Sequence, residues 1–548
     1  MKRDLERMAQ QTYDVVIVGG GISGACSAWD AALRGYSVAL VEKRDFGAAT
    51  SSATSKLAHG GLRYLKNFEF DLVRESLQER RLLEHVAPHL VWPLPFLVPT
   101  YQGSSNSRLM LIPGMILYDL LSYDKAWLDD PERRLPHFRY LSAEEVQRVE
   151  PGVDPRNLTG GVLYYDCQMV SPERLTLSFL ESAVSRGATV ANYAEVVGLR
   201  MAANRVEGVK VRDQLTGKEH EIRGRVTVNC SGPWADIVLG MTKKKSDKHV
   251  LRSQGIHLVT RRIVRDNALV LLTPSKRHFF VLPWRGLTLI GTTDTKYEGD
   301  PDKYVVTEEA VRDFLGEINA AYPSGKLTRQ DVLFAYGGLR PIVEKETQVE
   351  VYKASRKYEI YDHAQDEKIE GLVSVIGGKY TTSRKLGQQI VDVVARKLDR
   401  RPSPSRTKEL PLAGGNTGIF REFASLLAHD APPSLPRATV EYLAIHYGTR
   451  ARALFSLLPE EPDLGRPLGA TRPDLAAQVA YACRDEMAQT VLDVVLRRTG
   501  IGTIGHPGDE VLAAVADRMA AELGWDAATR KARLQEADDL LRRAGIAG

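Results

Sequence analysis

Four side chains able to do chemistry stand inside or just after glycine-containing turns. Arg63 follows Gly60-Gly61-Leu62, Arg340 follows Gly337-Gly338-Leu339, Lys379 follows Gly377-Gly378, and His257 closes Gln254-Gly255-Ile256-His257. Arginine's planar fork suits phosphate. Lysine brings a compact positive charge, and histidine can take or give a proton near neutral pH. Taken singly, each has a plainer alternative: a surface ion pair for an arginine, a solvated helix start for the lysine, a structural strand residue for the histidine.

The frame that would position them begins at Tyr13-Asp14-Val15-Val16-Ile17-Val18, a run that reads as a buried strand. Gly19-Gly20-Gly21 then makes a tight turn, and a helix is expected over 22–34. Gly19-x-Gly21-x-x-Gly24 is the dinucleotide fingerprint. Gly19 permits the turn, Gly21 lets backbone approach a pyrophosphate, and Gly24 lets helix and strand pack closely. The helix N-terminus offers N–H groups and a positive dipole end to phosphate. A second strand ends in Glu42, whose carboxylate can accept from both hydroxyls of an unphosphorylated ribose.

Residues 47–64 are rich in small and hydroxyl side chains: Thr50, Ser51, Ser52 and Ser55, then Lys56, and finally His59-Gly60-Gly61-Leu62 before Arg63 and Tyr64. Such a stretch could be a flexible linker. It runs directly into an amphipathic helix expected over 70–87, so it reads instead as a loop lining a cofactor, against whose small residues a planar ring can lie. Two later junctions repeat the strand–glycine–helix pattern, one at Cys230-Ser231-Gly232-Pro233 and one at Gly377-Gly378-Lys379-Tyr380-Thr381-Thr382. Ser171-Pro172 signals a helix start and Gly187 its end. Strands dominate 250–340, interrupted by a helix near 307–322. Residues 400–415, rich in Pro, Arg, Ser and Gly, read as a linker. Helical periodicity follows near 440–458, 474–498, 508–524 and 527–544.

At 548 residues the chain exceeds one ordinary core. A hydrophobic fraction of 43% and a charged fraction of 26% are those of a globular protein, and a net charge of +5 argues for no nucleic-acid role. The four cysteines form no CxxC pair, which points to a reducing compartment and to no metal site. The charged N-terminus lacks the apolar run of a signal peptide. The most apolar stretch, 109–121, contains Pro113-Gly114 and Asp119 and is too short to span a bilayer.

Taken in order, these junctions resemble the FAD-dependent glycerol-3-phosphate dehydrogenases. The likeness rests on Val18-Gly19-Gly20-Gly21-Ile22-Ser23-Gly24, on Thr50 to Leu65, on Asn229-Cys230-Ser231-Gly232-Pro233-Trp234, on Ile290-Gly291-Thr292-Thr293-Asp294, on Gly338-Leu339-Arg340-Pro341, and on Gly377 to Thr382. It spans roughly 10–400 and weakens through the helical tail. Two positions depart from the family pattern: Gln254 stands where a basic residue is usual, and Ser383-Arg384 follows Thr381-Thr382 where Tyr-Arg is common.

The resemblance implies an α/β fold: a Rossmann-like FAD-binding domain interleaved with a β-rich, D-amino-acid-oxidase-like substrate domain over 1–405, and an all-helical C-terminal domain over 406–548. FAD elements are expected near 12–80, 160–240 and 335–400, and substrate elements near 81–159 and 241–334. It implies non-covalent FAD held by Gly19, Gly21, Gly24, Glu42, Thr50, Ser51, Ser52, Ser55, Lys56, His59, Gly60, Gly61, Leu62, Ser231, Gly232, Gly378, Lys379, Thr381 and Thr382. It also implies oxidation of glycerol 3-phosphate to dihydroxyacetone phosphate. Such a reaction needs a hydride acceptor, a base and cations for the phosphate. Arg63 and Arg340, with Tyr64, are assigned to the substrate, His257 to the base, and Lys379 to the flavin edge where negative charge accumulates. The expected partners are a membrane quinone and the inner face of the cell membrane, touched peripherally, with a homodimer also open. An oxygen-using oxidase, an amine- or amino-acid-oxidising relative, and a non-catalytic flavin module remain as alternatives.

Overall fold

The computed structural model describes residues 1–103, 107–244, 249–273, 277–343, 357–401, 403–470 and 472–544, with backbone alone at 63, 66 and 67. Val15 to Val18 are β-branched and buried, as suits a strand covered on both faces. This strand, Thr12–Val18, lies inside an eight-stranded sheet. Val38–Val41 and Glu219–Asn229 flank it, both parallel. Thr189–Ala191 and Leu372–Gly377 extend the parallel set on either side, and Tyr358–Asp362 adds an antiparallel edge. Helices Ile22–Leu33, Pro172–Val184 and Ser383–Lys397 pack together over the side chains of Val15 and Ile17. The hairpin Ala194–Ala202/Arg205–Asp213 contributes the apolar cover over Val16 and Val18. The Ser171 hydroxyl accepts from the Arg174 N–H with Pro172 in the first turn, as the sequence signalled.

A second, ten-stranded sheet carries the long strands Val91–Tyr101, Leu158–Met169, Val250–Thr260 and Val332–Val343. Leu158–Met169 and Val332–Val343 therefore sit in the β-rich sheet, although 160–240 and 335–400 were expected to serve the cofactor. Each is 12 residues long and pairs along its length, the first with Val91–Tyr101 and the second with Val250–Thr260. Helix Glu308–Ala321 presents Val311, Phe314, Leu315 and Ile318 to one face of this sheet.

From Phe420 onward the described residues form helices and turns with no strand of this sheet system: Phe420–Asp430, Arg437–Tyr447, Ala451–Phe455, Ala476–Asp485, Asp509–Leu523 and Ala527–Ala544. The continuous helix expected over 474–498 breaks after Asp485. Met487 takes a positive φ of 56°, and the Asp493 carboxylate accepts the Gln489 and Thr490 N–H groups before a π-helical turn at Asp493–Arg498. Helix Phe420–Asp430, not foreseen, buries Phe420, Phe423 and Leu427 at helical spacing. Nor is 400–415 a solvated tether. Leu412 is buried with its N–H on the Val86 carbonyl, and Thr407 Oγ1 accepts from Arg384. The apolar run 109–121 becomes helix Arg108–Leu121, and no helix among the described residues is long and apolar enough to cross a membrane.

Arg384 joins helix Ser383–Lys397 to helix Phe70–Val86. Its guanidinium donates twice to Glu79 inside the core, and both side chains are almost fully buried. Removing one partner would strand the other charge in a low-dielectric interior, which costs about 3–5 kcal/mol. Glu79→Ala is expected to lower the thermal midpoint sharply, whereas Arg437→Ala, which breaks an exposed i,i+4 pair with Glu441, should shift it little. Calorimetry of the two variants checks this.

Candidate active site

The glycine turn is set by contacts that leave no room for side chains. Gly19 has φ +106°, and a Cβ there would fall 2.6 Å from the Cys230 carbonyl oxygen; on Gly24 it would fall 2.0 Å from the Gly19 carbonyl oxygen. A Cβ on Gly21 would meet only Ser51 Oγ, at 3.1 Å. Gly21 faces a cavity of about 470 Å³ that extends from this turn, past residues 47–55, to His257 and Arg340 in the second sheet. Ser51 Oγ accepts the Ile22 N–H at 2.9 Å and so caps the helix from the cavity side. Glu42 accepts the Gly20 N–H through Oε2 at 2.7 Å and the Arg44 N–H through Oε1 at 2.9 Å. A carboxylate has about four acceptor positions, so two remain for a ligand. Burial raises its proton affinity, and the two backbone donors oppose that. Gly378, with φ +106°, and Thr381 line the cavity from the third glycine junction, and Ser231 and Gly232 from the second. A bare-backbone cradle, an acidic acceptor and a long slot are what a dinucleotide-type cofactor needs, and the residues present fit one.

His257 and Arg340 share the far end. The pairing of Val250–Thr260 with Val332–Val343 and with Leu287–Gly291 sets Ser253 opposite Arg340 and His257 opposite Gly291. Both sites depend on missing side chains: a Cβ on Gly255 would lie 2.1 Å from Arg340 Nη2, and one on Gly291 would lie 2.0 Å from His257 Cδ2. Arg340 donates to Thr292 Oγ1 at 2.7 Å and to the Thr293 carbonyl at 3.3 Å, with Asp294 at 3.7 Å. The His257 ring stacks on Tyr336 with centroids 4.9 Å apart, and its Nε2 is 2.8 Å from Ser55 Oγ. His257 Nδ1 is buried and has no hydrogen-bond partner among the described residues. Burial, then the charges of Arg340 and Lys56, pushes its pKa well below 6.5, so the ring is neutral at physiological pH.

Lys379 Nζ lies 3.8 Å from the centre of the Tyr64 ring and donates to Ser76 Oγ at 3.1 Å, with both Lys379 and Tyr64 on the cavity wall. His59, Gly61, Leu62, Thr50 and Ser55 also line it. The Arg63 side chain lies outside the described residues. Five of the expected cofactor residues do not border the cavity. Gly24 serves helix packing, and the Ser52 hydroxyl donates to the Ala49 carbonyl. The Gly60 N–H is held by Asp166, and Thr382 heads helix Ser383–Lys397. Lys56 is buried, donating to Glu173 and to the Ser52 carbonyl.

Sequence reading missed the collar around Arg340. Thr292, Thr293 and Asp294 stood in a motif that was quoted without a role. Trp234, over which Lys43 Nζ sits at 4.5 Å, likewise had no role, and Asp302, which pairs with Lys43 and Arg44 on the cavity wall, was missed. No local signal marks the latter, because Asp302 comes from the second sheet's side of the chain.

A family model described as FAD dependent oxidoreductase matches residues 14–382, and one described as the C-terminal domain of alpha-glycerophosphate oxidase matches 405–530. The glycerol-3-phosphate dehydrogenase of Synechocystis sp. is 36% identical over 537 residues, covering 95% of each chain. The aerobic glycerol-3-phosphate dehydrogenase of Bacillus subtilis is 33% identical over 563 residues, covering 99% of this chain and 97% of that one. The X-ray structure of the glycerol-3-phosphate dehydrogenase from Bacillus halodurans, complexed with FAD, matches with a TM-score of 0.79 and 28% identity, over 98% of this chain and 96% of that one. Glycine oxidase from Geobacillus kaustophilus, at 20% identity and a TM-score of 0.53, shares the fold over 72% of this chain.

The glycine contacts separate packing from binding. Gly24→Ala forces a methyl onto the Gly19 carbonyl, and overpacking of this kind costs about 1–3 kcal/mol. Gly21→Ala meets no backbone, so the apoprotein's thermal midpoint should stay near native while flavin binding weakens roughly tenfold, about 1.4 kcal/mol. Thermal melts and flavin titrations of both variants test the distinction.

Proposed function

The chain belongs to the FAD-dependent glycerol-3-phosphate dehydrogenase family, and from that premise we propose that it oxidises sn-glycerol 3-phosphate to dihydroxyacetone phosphate and passes the electrons to a membrane quinone. The observation that carries the proposal is the shared end of the cavity, where a fixed arginine and a neutral, buried histidine face the space that begins at the glycine turn. Gly19, Gly21, Glu42 and Ser51 would hold FAD, which would supply the hydride acceptor.

The chain's own groups take the remaining roles. Arg340, its fork set by Thr292 and Thr293, binds the substrate phosphate, and Arg63 is proposed as a second phosphate ligand on the sequence motif alone. His257 takes the hydroxyl proton on a ring nitrogen, its plane held by Tyr336 and Ser55. Lys379 places positive charge beside the cavity wall that Tyr64 forms. Because Arg340 is one of the charges that depress His257, a phosphate dianion on Arg340 offsets that field and raises the proton affinity of His257 when substrate binds. Binding thereby makes the base stronger.

Two results are expected. Arg340→Ala should lower kcat/KM for glycerol 3-phosphate by about 1.5–3 kcal/mol, one to two powers of ten, and leave glycerol turnover nearly unchanged. The acid limb of kcat, which reports the complex, should lie at higher pH than that of kcat/KM, which reports the free enzyme; both limbs should vanish in His257→Asn. Coincident limbs, or limbs that survive the substitution, remove His257 as the base.

The membrane side of the proposal is supported by helix Arg108–Leu121. It exposes Leu109 (87%), Met110 (67%) and Leu120 (65%) to solvent while Leu111 lines the cavity. One helix thus presents apolar surface outward and reaches the reaction space inward, as peripheral attachment and a lipid-soluble acceptor both require. Leu109→Glu with Met110→Glu should abolish sedimentation with anionic vesicles and reduce turnover with a long-chain quinone, while turnover with a soluble dye acceptor persists. Equal turnover with oxygen and quinone would favour the oxidase reading.

A further inference from the structure

Asp45 stands in the loop after strand Val38–Val41, its side chain fully buried. Four donors converge on it. Arg497 Nε donates to Oδ2 at 2.6 Å, and Arg498 donates through Nη1 to Oδ2 at 2.7 Å and through Nη2 to Oδ1 at 2.9 Å. Asn192 Nδ2 donates to Oδ1 at 3.0 Å. Adjacent residues of an α-helix diverge by about 100°, yet here two adjacent arginines grip one carboxylate. They do so from the π-helical turn Asp493–Arg498, a local irregularity of the kind often found at functional positions. Asp493 holds the turn itself: it accepts from Arg497 at 2.6 Å, from the Tyr193 hydroxyl at 2.7 Å, and from the Thr490 hydroxyl at 2.8 Å.

What Asp45 anchors is the support of the glycine turn. The Gly20 N–H donates to Glu42, the Gly47 N–H donates to the Gly20 carbonyl at 3.0 Å, and a Cβ on Gly20 would fall 2.7 Å from Phe46. Lys43, Arg44 and Gly47 border the cavity on either side of Asp45. We infer that the C-terminal helical domain completes the dinucleotide site from outside it: Arg497 and Arg498 are positioning residues that, through Asp45, hold the loop 42–47 and Gly20 in the shape that receives the cofactor. Neither arginine borders the cavity, so their action on the cofactor is indirect. The inference rests on the flavin reading of the site and assigns a cofactor-related role to a domain that supplies none of the expected cofactor residues.

The test uses full-length protein stripped of flavin and titrated with FAD by fluorescence quenching, beside thermal melts of the same apoprotein. Arg497→Gln removes the charge and the fork, and Arg497→Lys keeps the charge alone. Arg484→Gln is the control, breaking the pairs with Glu461 and Glu522 inside the helical domain. Arg497→Gln should raise the FAD Kd roughly tenfold, the scale of one lost charge-assisted hydrogen bond. Arg497→Lys should fall between it and the native protein, and Arg484→Gln should bind FAD as the native protein does even where it melts earlier. An unchanged Kd in Arg497→Gln, with a lowered melting point like that of the control, would reduce the clamp to domain adhesion and overturn the inference. Should Arg497→Gln not fold, Arg497→Lys decides alone, and an unchanged Kd there overturns it too. Native apoprotein that binds no FAD overturns the flavin reading and the inference together.

Discussion

A methyl group on Gly24 would sit 2.0 Å from the Gly19 carbonyl oxygen, and the whole site is arranged around that absence of space. Strand Thr12–Val18 and helix Ile22–Leu33 close on each other because Gly24 sets no side chain against the turn that joins them. The same crowding recurs at Gly19 against Cys230, so the flanking strand Glu219–Asn229 is drawn to the same point. The carboxyl ends of these parallel strands then open a crevice between neighbours on either side of the first strand, where open α/β sheets bind their ligands. Glu42, Ser51, Ser231 and Gly378 follow from that geometry. Each stands at or just beyond the end of a neighbouring strand or in the loop that caps the first helix.

The second sheet obeys a related constraint at the other end. Gly255 and Gly291 vacate the volumes that Arg340 and His257 occupy, so two polar side chains lie flat on a sheet surface that would otherwise be filled by Cβ atoms. Keeping an arginine there has a desolvation cost, and Thr292, the Thr293 carbonyl and nearby Asp294 offset part of it. Part of the positive field remains and falls on His257.

Local features were legible in the sequence. The strand–glycine–helix junctions, the Ser171 cap with Pro172, and the alternation of strands after 250 are each encoded within a few residues. The all-helical tail was legible as periodicity, but its break at Asp485 was not. That break depends on the Asp493 carboxylate turning back on Gln489 and Thr490. Lys56 reads as a ligand residue from its motif, and only the fold reveals Glu173 beside it. Thr382 and Ser52 were likewise assigned to the cofactor through the family's motifs, whereas the Ser52 hydroxyl donates to the Ala49 carbonyl and Thr382 heads a helix. The stacking of His257 on Tyr336 and the clamp on Asp45 join residues far apart in the chain, and no spacing rule could have found them.

Anaerobic rapid mixing of the FAD-loaded protein with sn-glycerol 3-phosphate, followed through the flavin absorbance, examines the central claim most directly, because it observes the transfer before any acceptor is involved. Complete bleaching in a single turnover, with neither quinone nor a nicotinamide cofactor present, is the predicted result. A flavin that glycerol 3-phosphate leaves oxidised, and that an amino acid or amine bleaches instead, would contradict it.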